Sequence, residues 1–127
     1  MMNKIQLCEG LCKLHGNILG AAVIEHGTMI AAYSKPDVPV PNEERFKTIF
    51  FQTEIIASIH RSNEDFYGPL KFFTVHFEGS DVFFFPLDKY GARRRSIIGF
   101  KIVTPYNHEG LVSKVSNFLA KNIAVET

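Results

Sequence analysis

The run Val82-Phe83-Phe84-Phe85 offers no polar position in either phase of a two-residue period. A strand sends alternate side chains to opposite faces, so this segment needs apolar cover on both sides of its sheet. The segments around it supply the rest of such a sheet. Residues 71–78 and 81–87 read as a hairpin about Gly79-Ser80, with Pro86 at a strand end. Residues 18–25 and 28–34 read as a second hairpin about His26-Gly27. Residues 96–104 form a fifth strand, which Pro105 ends.

Three helices are legible between these strands. Residues 3–15 carry Leu7, Leu11 and Leu14 on one stripe, with Cys8 and Cys12 beside it, and Gly16 provides a stop. Asn42 caps a helix that runs to Ser62, and Glu43 and Glu44 fall in its first turn, where the helix dipole favours anions. Asn107 caps a last helix with Leu111, Val115, Phe118 and Leu119 on one face. Prolines 36, 39 and 41 make residues 35–41 an extended connection, and residues 63–69 and 88–95 read as loops. The expected fold class is α/β of the α+β type, in the order α-β-β-α-β-β-β-α. Tight hairpins imply antiparallel neighbours. The expectation is one domain, residues 1–127, with a five-stranded antiparallel sheet. The middle helix lies on one face and the two terminal helices lie on the other.

Composition narrows the function classes. A chain of 127 residues buries roughly two thirds of its unfolded surface and needs no staple. There are twelve Phe and no Trp, so most rings have no polar handle and belong in a core or an interface. A net charge of +1 is too balanced for a general polyanion binder, so nucleic acid is not the expected partner. No apolar stretch approaches the ~20 residues of a membrane span. Glu9 and Lys13 interrupt the first segment, which does not read as a signal peptide. Two cysteines four apart on a helix suit a disulfide poorly, so reduced thiols and a cytoplasmic location are expected.

Glycine spacings typical of phosphate loops and dinucleotide sites are missing, as is a nucleophile elbow. The reading is a non-enzyme with no cofactor, no metal and no catalytic residues. Cys8, Cys12 and His15 form a conceivable partial metal site, with core packing the favoured role for both thiols. His26, His60, His76 and His108 are scattered, with no spacing that joins them into a triad. Glu64-Asp65 reads as a solvated acid pair. Arg93-Arg94-Arg95 follows Lys89-Tyr90-Gly91 and is the candidate partner-binding loop, suited to an acidic surface or a phosphate.

The middle helix is the unusual element. Phe46, Ile49, Phe50, Thr53, Ile56, Ala57 and His60 share one broad side, wide enough to pack on a sheet. Phe51, Ile55 and Ile59, with Thr48 one turn earlier, lie on the opposite side. A helix covering a sheet needs one apolar stripe. The second stripe calls for cover from elsewhere in the chain, such as the proline-rich segment, or from another subunit. The second reading makes Thr48, Phe51, Ile55 and Ile59 a dimer interface, because contiguous exposed apolar patches mark interaction sites.

The element order, together with Gly16-Asn17-Ile18-Leu19-Gly20-Ala21-Ala22-Val23-Ile24-Glu25-His26-Gly27-Thr28-Met29-Ile30-Ala31, resembles the roadblock / dynein light chain family. Residues 75–83, Val-His-Phe-Glu-Gly-Ser-Asp-Val-Phe, look like that family's central hairpin. The resemblance implies a profilin-like three-layer fold and a homodimer paired through the middle helices and an edge strand. It also implies a scaffolding or regulatory role toward a small Ras-like GTPase or similar protein partner. The rival from another class is a small-molecule-sensing domain with a ligand cavity in a PAS/GAF-like sheet, which the many Phe could line.

Overall fold

The computed structural model describes residues 2–92 and 94–123. Five strands form one antiparallel sheet in the order β2-β1-β5-β4-β3. They are β1 (Ile18–Glu25), β2 (Thr28–Ser34), β3 (Phe73–Phe77), β4 (Ser80–Pro86) and β5 (Ser96–Val103). The helices are α1 (Lys4–Cys12), α2 (Glu43–Arg61), the one-turn α3 (Glu64–Tyr67) and α4 (His108–Ile123).

The run Val82–Phe85 divides its side chains as its pattern requires. Phe83 and Phe85 point into a core shared with α1 and α4, where Leu7, Leu11, Leu111, Val115 and Leu119 are buried against Val23, Ile98 and Phe100. Val82 and Phe84 point to the other face, where Ala57 of α2 packs with Ile97. The two layers are unequal. Only Phe50, Thr53 and Ala57 of α2 are buried, so most of the hydrophobic stabilisation lies under α1 and α4. The Phe83 ring is stacked on Phe100 at 5.1 Å and lies edge-on to Tyr106 at 6.0 Å.

Several boundaries differ from the sequence reading. Helix α1 begins with a reciprocal cap, in which the Gln6 amide donates to Asn3 Oδ1 at 2.8 Å and the Asn3 amide donates to Gln6 Oε1 at 3.0 Å. It ends at Cys12 rather than residue 15, because the amides of Lys13 and Leu14 reach back only three residues. His15 therefore leaves the face that holds the cysteines, and its Nδ1 accepts the Asn17 amide at 3.0 Å. Cys8 and Cys12 are buried core residues. Burial, with the neighbouring Cys12 thiol, pushes the Cys8 thiol up to about 12. Burial raises Cys12 to about 11. Both stay protonated near neutral pH and lack the thiolate that a nucleophile needs.

The second hairpin turns on Glu78-Gly79, since Phe77 pairs with Ser80, and Gly79 has a φ of 83°. The proline-rich segment is not uniformly extended. Val38 N–H bonds Lys35 O at 3.3 Å across Pro36-Asp37, and Asp37 takes a φ of 66°. Residues 63–69 contain α3, and Glu64 is not simply solvated, because its carboxylate accepts the Leu70 amide at 2.7 Å.

Candidate interaction surfaces

Helix α2 starts on the Asn42 cap, whose side chain accepts the Arg45 amide at 2.8 Å. It is pinned near its middle to the first hairpin. The turn His26-Gly27 holds both residues at positive φ, 52° and 77°. This frees the Gly27 amide to donate to Glu54 Oε1 at 3.0 Å. The C-terminal end is held by Arg61, whose guanidinium donates twice to the Asp88 carboxylate at 2.9 and 3.2 Å. The Glu54 and Arg61 contacts thus fix which side of α2 faces out.

That outer side carries the predicted stripe. Phe51 is 63%, Ile55 45% and Ile59 56% exposed, and Thr48 is exposed one turn before. The proline-rich segment does not cover them. Val38, Pro39, Val40 and Pro41 lie instead beside Leu19, Phe46 and Phe50, on the inner side of the helix. Of the residues assigned by periodicity to the sheet-facing side, Ile56 is exposed as well, and His60 is exposed although its ring lies 5.5 Å from that of Phe73 on β3. The inner contact is narrower than the apolar arc, because α2 meets the sheet chiefly through Phe50, Thr53 and Ala57. Phe51, Ile55 and Ile59 form a shallow depression with His26, Glu54, Ser58 and Ser62. Beyond it, α3 exposes Phe66 and Tyr67, both 81%, with their rings edge-to-face at 4.8 Å. Their segment reads as a plain loop from sequence, with no signal for this pair.

Strand β3 is a sheet edge, with Phe77 exposed near its end. Arg94 and Arg95 are exposed, and Arg93 lies outside the described residues. Arg94 Nη1 stands 3.8 Å from Glu25 Oε1, a loose surface contact. Asp88, one of the acids that could have neutralised this loop, is engaged by Arg61.

Sequence spacing missed one polar cluster. Asp81 is buried and accepts a hydrogen bond from the Tyr106 hydroxyl, and its other oxygen lies 2.9 Å from His76 Nδ1. The signal was present in the hairpin, because a two-residue turn at Glu78-Gly79 makes His76 and Asp81 cross-strand partners. The Tyr106 hydrogen bond, aided by His76, holds the Asp81 carboxyl below the usual carboxylate range against the opposing cost of burial. The same contact follows burial in raising the Tyr106 phenol. A carboxylate with a depressed folded pKa stabilises the fold above its unfolded value, about 4, and that stability is lost as pH falls through the folded value. Asp81→Asn should therefore lower the melting temperature by roughly 5 °C at pH 7, and the deficit should shrink as pH falls from 4 to 2. Melting curves at pH 2, 3, 5 and 7 check this. An undiminished deficit at pH 2 would show that the charge of Asp81 is irrelevant.

Between the N-terminal half of α2 and the sheet lies a cavity of about 250 Å³. Its lining is mostly apolar, with Lys101 and Ser34 among the polar residues. Among the described residues, no three His, Cys, Asp or Glu side chains converge as metal ligands, and no helix is long and apolar enough to cross a membrane.

No family profile matches this sequence, and no curated protein does. Solved structures do. A roadblock/LC7 domain from Streptomyces avermitilis superposes with a TM-score of 0.71 at 10% identity, covering 94% of each chain. The gliding protein MglB from Thermus thermophilus gives 0.70 at 14% identity, covering 98% of this chain and 90% of that one. An MglB structure described as having a tetrameric arrangement gives 0.72 at 13% identity, covering 95% and 85%. The strand order, the helix layers and these superpositions agree: this chain has the roadblock/LC7 fold.

Proposed function

We propose that this protein is a non-catalytic, cytoplasmic scaffold that dimerises through the outer face of α2 and binds a small Ras-like GTPase or similar protein partner. The observation that carries the reading is the uncovered stripe Phe51, Ile55 and Ile59. Leaving such side chains in water forgoes about 1.5–3 kcal/mol each. Its spacing suits a two-fold pairing of one α2 against another, with Thr48 at the end of the contact. Strand β3, as a free edge, extends that interface. The tetrameric arrangement described for an MglB structure of the same fold supports self-association.

The arginine loop supplies a second surface. Adjacent guanidiniums repel one another, and loose surface pairs such as Arg94 with Glu25 contribute only about 0–1 kcal/mol. Opposite an acidic partner they form bidentate contacts and speed association. Replacing Arg93, Arg94 and Arg95 with Ala should leave the fold and the dimer intact. It should also abolish a salt-sensitive co-purification with a GTP-binding protein from native extract. If the triple variant retains that partner at 0.3 M salt, the loop is not the binding surface. If it unfolds, the arginines are structural.

A further inference from the structure

The cavity under α2 follows from the register of the sheet. Ala22 pairs with Ala32 on one side and Gly99 on the other, so three very small residues lie in a row across β2, β1 and β5. The next row reads Ser34, Gly20, Lys101. The Phe84 ring covers Gly99, but nothing large stands on Ala22, Ala32 or Gly20, and the N-terminal half of α2 leaves the gap beside Phe84 open. Neither row can readily be filled by a larger residue at its glycine. A Cβ on Gly99 would meet the Phe84 ring at 2.9 Å, and a Cβ on Gly20 would meet Tyr33 O at 3.1 Å and Ser34 Oγ at 3.2 Å. The proline-rich segment, through Val38 to Pro41, lines a further side, and the space stays open to solvent where Ala32, Ser34 and Lys101 are exposed.

The lining has a polarity. Phe46, Ile49, Phe50 and Phe84 make the apolar part. Ser34 and Lys101 flank Gly20 at one end, and no Cβ stands between them. Lys101 is exposed, and no carboxylate among the described residues pairs with it. An ammonium and a hydroxyl at the end of an apolar cavity match a carboxylate that carries an apolar tail. An engineered apolar cavity of about 150 Å³ takes benzene, so by proportion this volume takes about ten non-hydrogen atoms.

We propose that this cavity binds a small monocarboxylate, its apolar tail among Phe46, Ile49, Phe50 and Phe84 and its carboxylate toward Lys101 and Ser34. The site faces the sheet, on the opposite side of α2 from the stripe, so it stands or falls independently of the dimer.

Sodium octanoate is the probe and octan-1-ol its neutral control, each titrated into the full chain by calorimetry and by proton NMR. Octanoate should bind saturably, with Overhauser contacts from its methyl end to the Phe84 ring. Lys101→Met should weaken octanoate about tenfold and leave octan-1-ol unchanged. Ala22→Leu, which fills the cavity from its floor, should abolish both. Ile49→Phe fills it from the helix and replaces Ala22→Leu if that variant does not fold. The absence of saturable octanoate binding, or octanoate binding that survives the filled cavity, overturns the site. Equal loss of octanoate and octan-1-ol affinity in Lys101→Met, or no loss of either, overturns the carboxylate assignment.

Discussion

Ile55→Asp should convert the protein from a dimer to a monomer without unfolding it. Ile55 sits midway along the stripe between Phe51 and Ile59, four residues from each. In a two-fold pairing of α2 helices the middle of the stripe lies nearest the axis, so residue 55 of one copy faces residue 55 of the other. The substitution removes two apolar side chains from the contact and buries two like charges against each other. Lost burial of about 1.5–3 kcal/mol per copy plus that repulsion should weaken dimerisation at least about a thousandfold, roughly 4 kcal/mol. The isolated fold should tolerate the change, because Ile55 is 45% exposed within one chain. Light scattering should give twice the chain mass for the wild type and the single-chain mass for the variant, with matching circular dichroism. Ile5→Asp is the control: Ile5 is also exposed but lies on α1, on the opposite face of the sheet from α2, and its variant should remain dimeric. A wild type that is monomeric at 100 μM would end the dimer reading, as would an Ile55→Asp dimer of unchanged affinity.

Asp88→Ala should be among the most destabilising single changes outside the core. The Arg61 side chain is only 8% exposed, and Asp88 supplies both of its hydrogen-bonded contacts. Arg61 Nε is already buried without a partner. Removing Asp88 would leave the guanidinium charge buried and unpaired, which costs about 2–4 kcal/mol after allowance for the partial exposure of Asp88. Burial pushes the Asp88 carboxyl up, but the hydrogen bond and charge of Arg61 outweigh it and hold the group below the usual carboxylate range. This part of the stability is present above about pH 4 and is lost as pH falls through the lower folded value. Urea melts of Asp88→Ala, Arg61→Ala and the double variant test the pair. The double variant should be much less destabilised than the sum of the singles, with a coupling of at least about 1.5 kcal/mol. Additive effects would show that the two side chains act independently. The pair ties the end of α2 to the segment that leads into the arginine loop, so Asp88→Ala should also weaken partner binding.

The sheet and its layers were legible in the sequence because they depend on local signals. The Val82–Phe85 run demands cover on two faces, His26-Gly27 and Gly79 demand tight turns, and Asn42 and Asn107 announce helix starts. The surplus stripe of α2 was legible for the same reason, since helical period assigns sides without knowledge of neighbours. Period alone could not decide how much of the remaining arc is buried: Ile56 is exposed, and His60 keeps only its ring against Phe73 of β3. Tertiary structure alone decided the contacts between residues far apart in the chain. Arg61 meets Asp88 across 27 positions, and Tyr106 meets Asp81 across 25. Neither pair has a local signature. The cavity belongs to the same class. Gly20, Ala22 and Gly99 are unremarkable in their own strands, and the space exists only because strand register sets them side by side beneath α2, with the Phe84 ring over Gly99 as one wall.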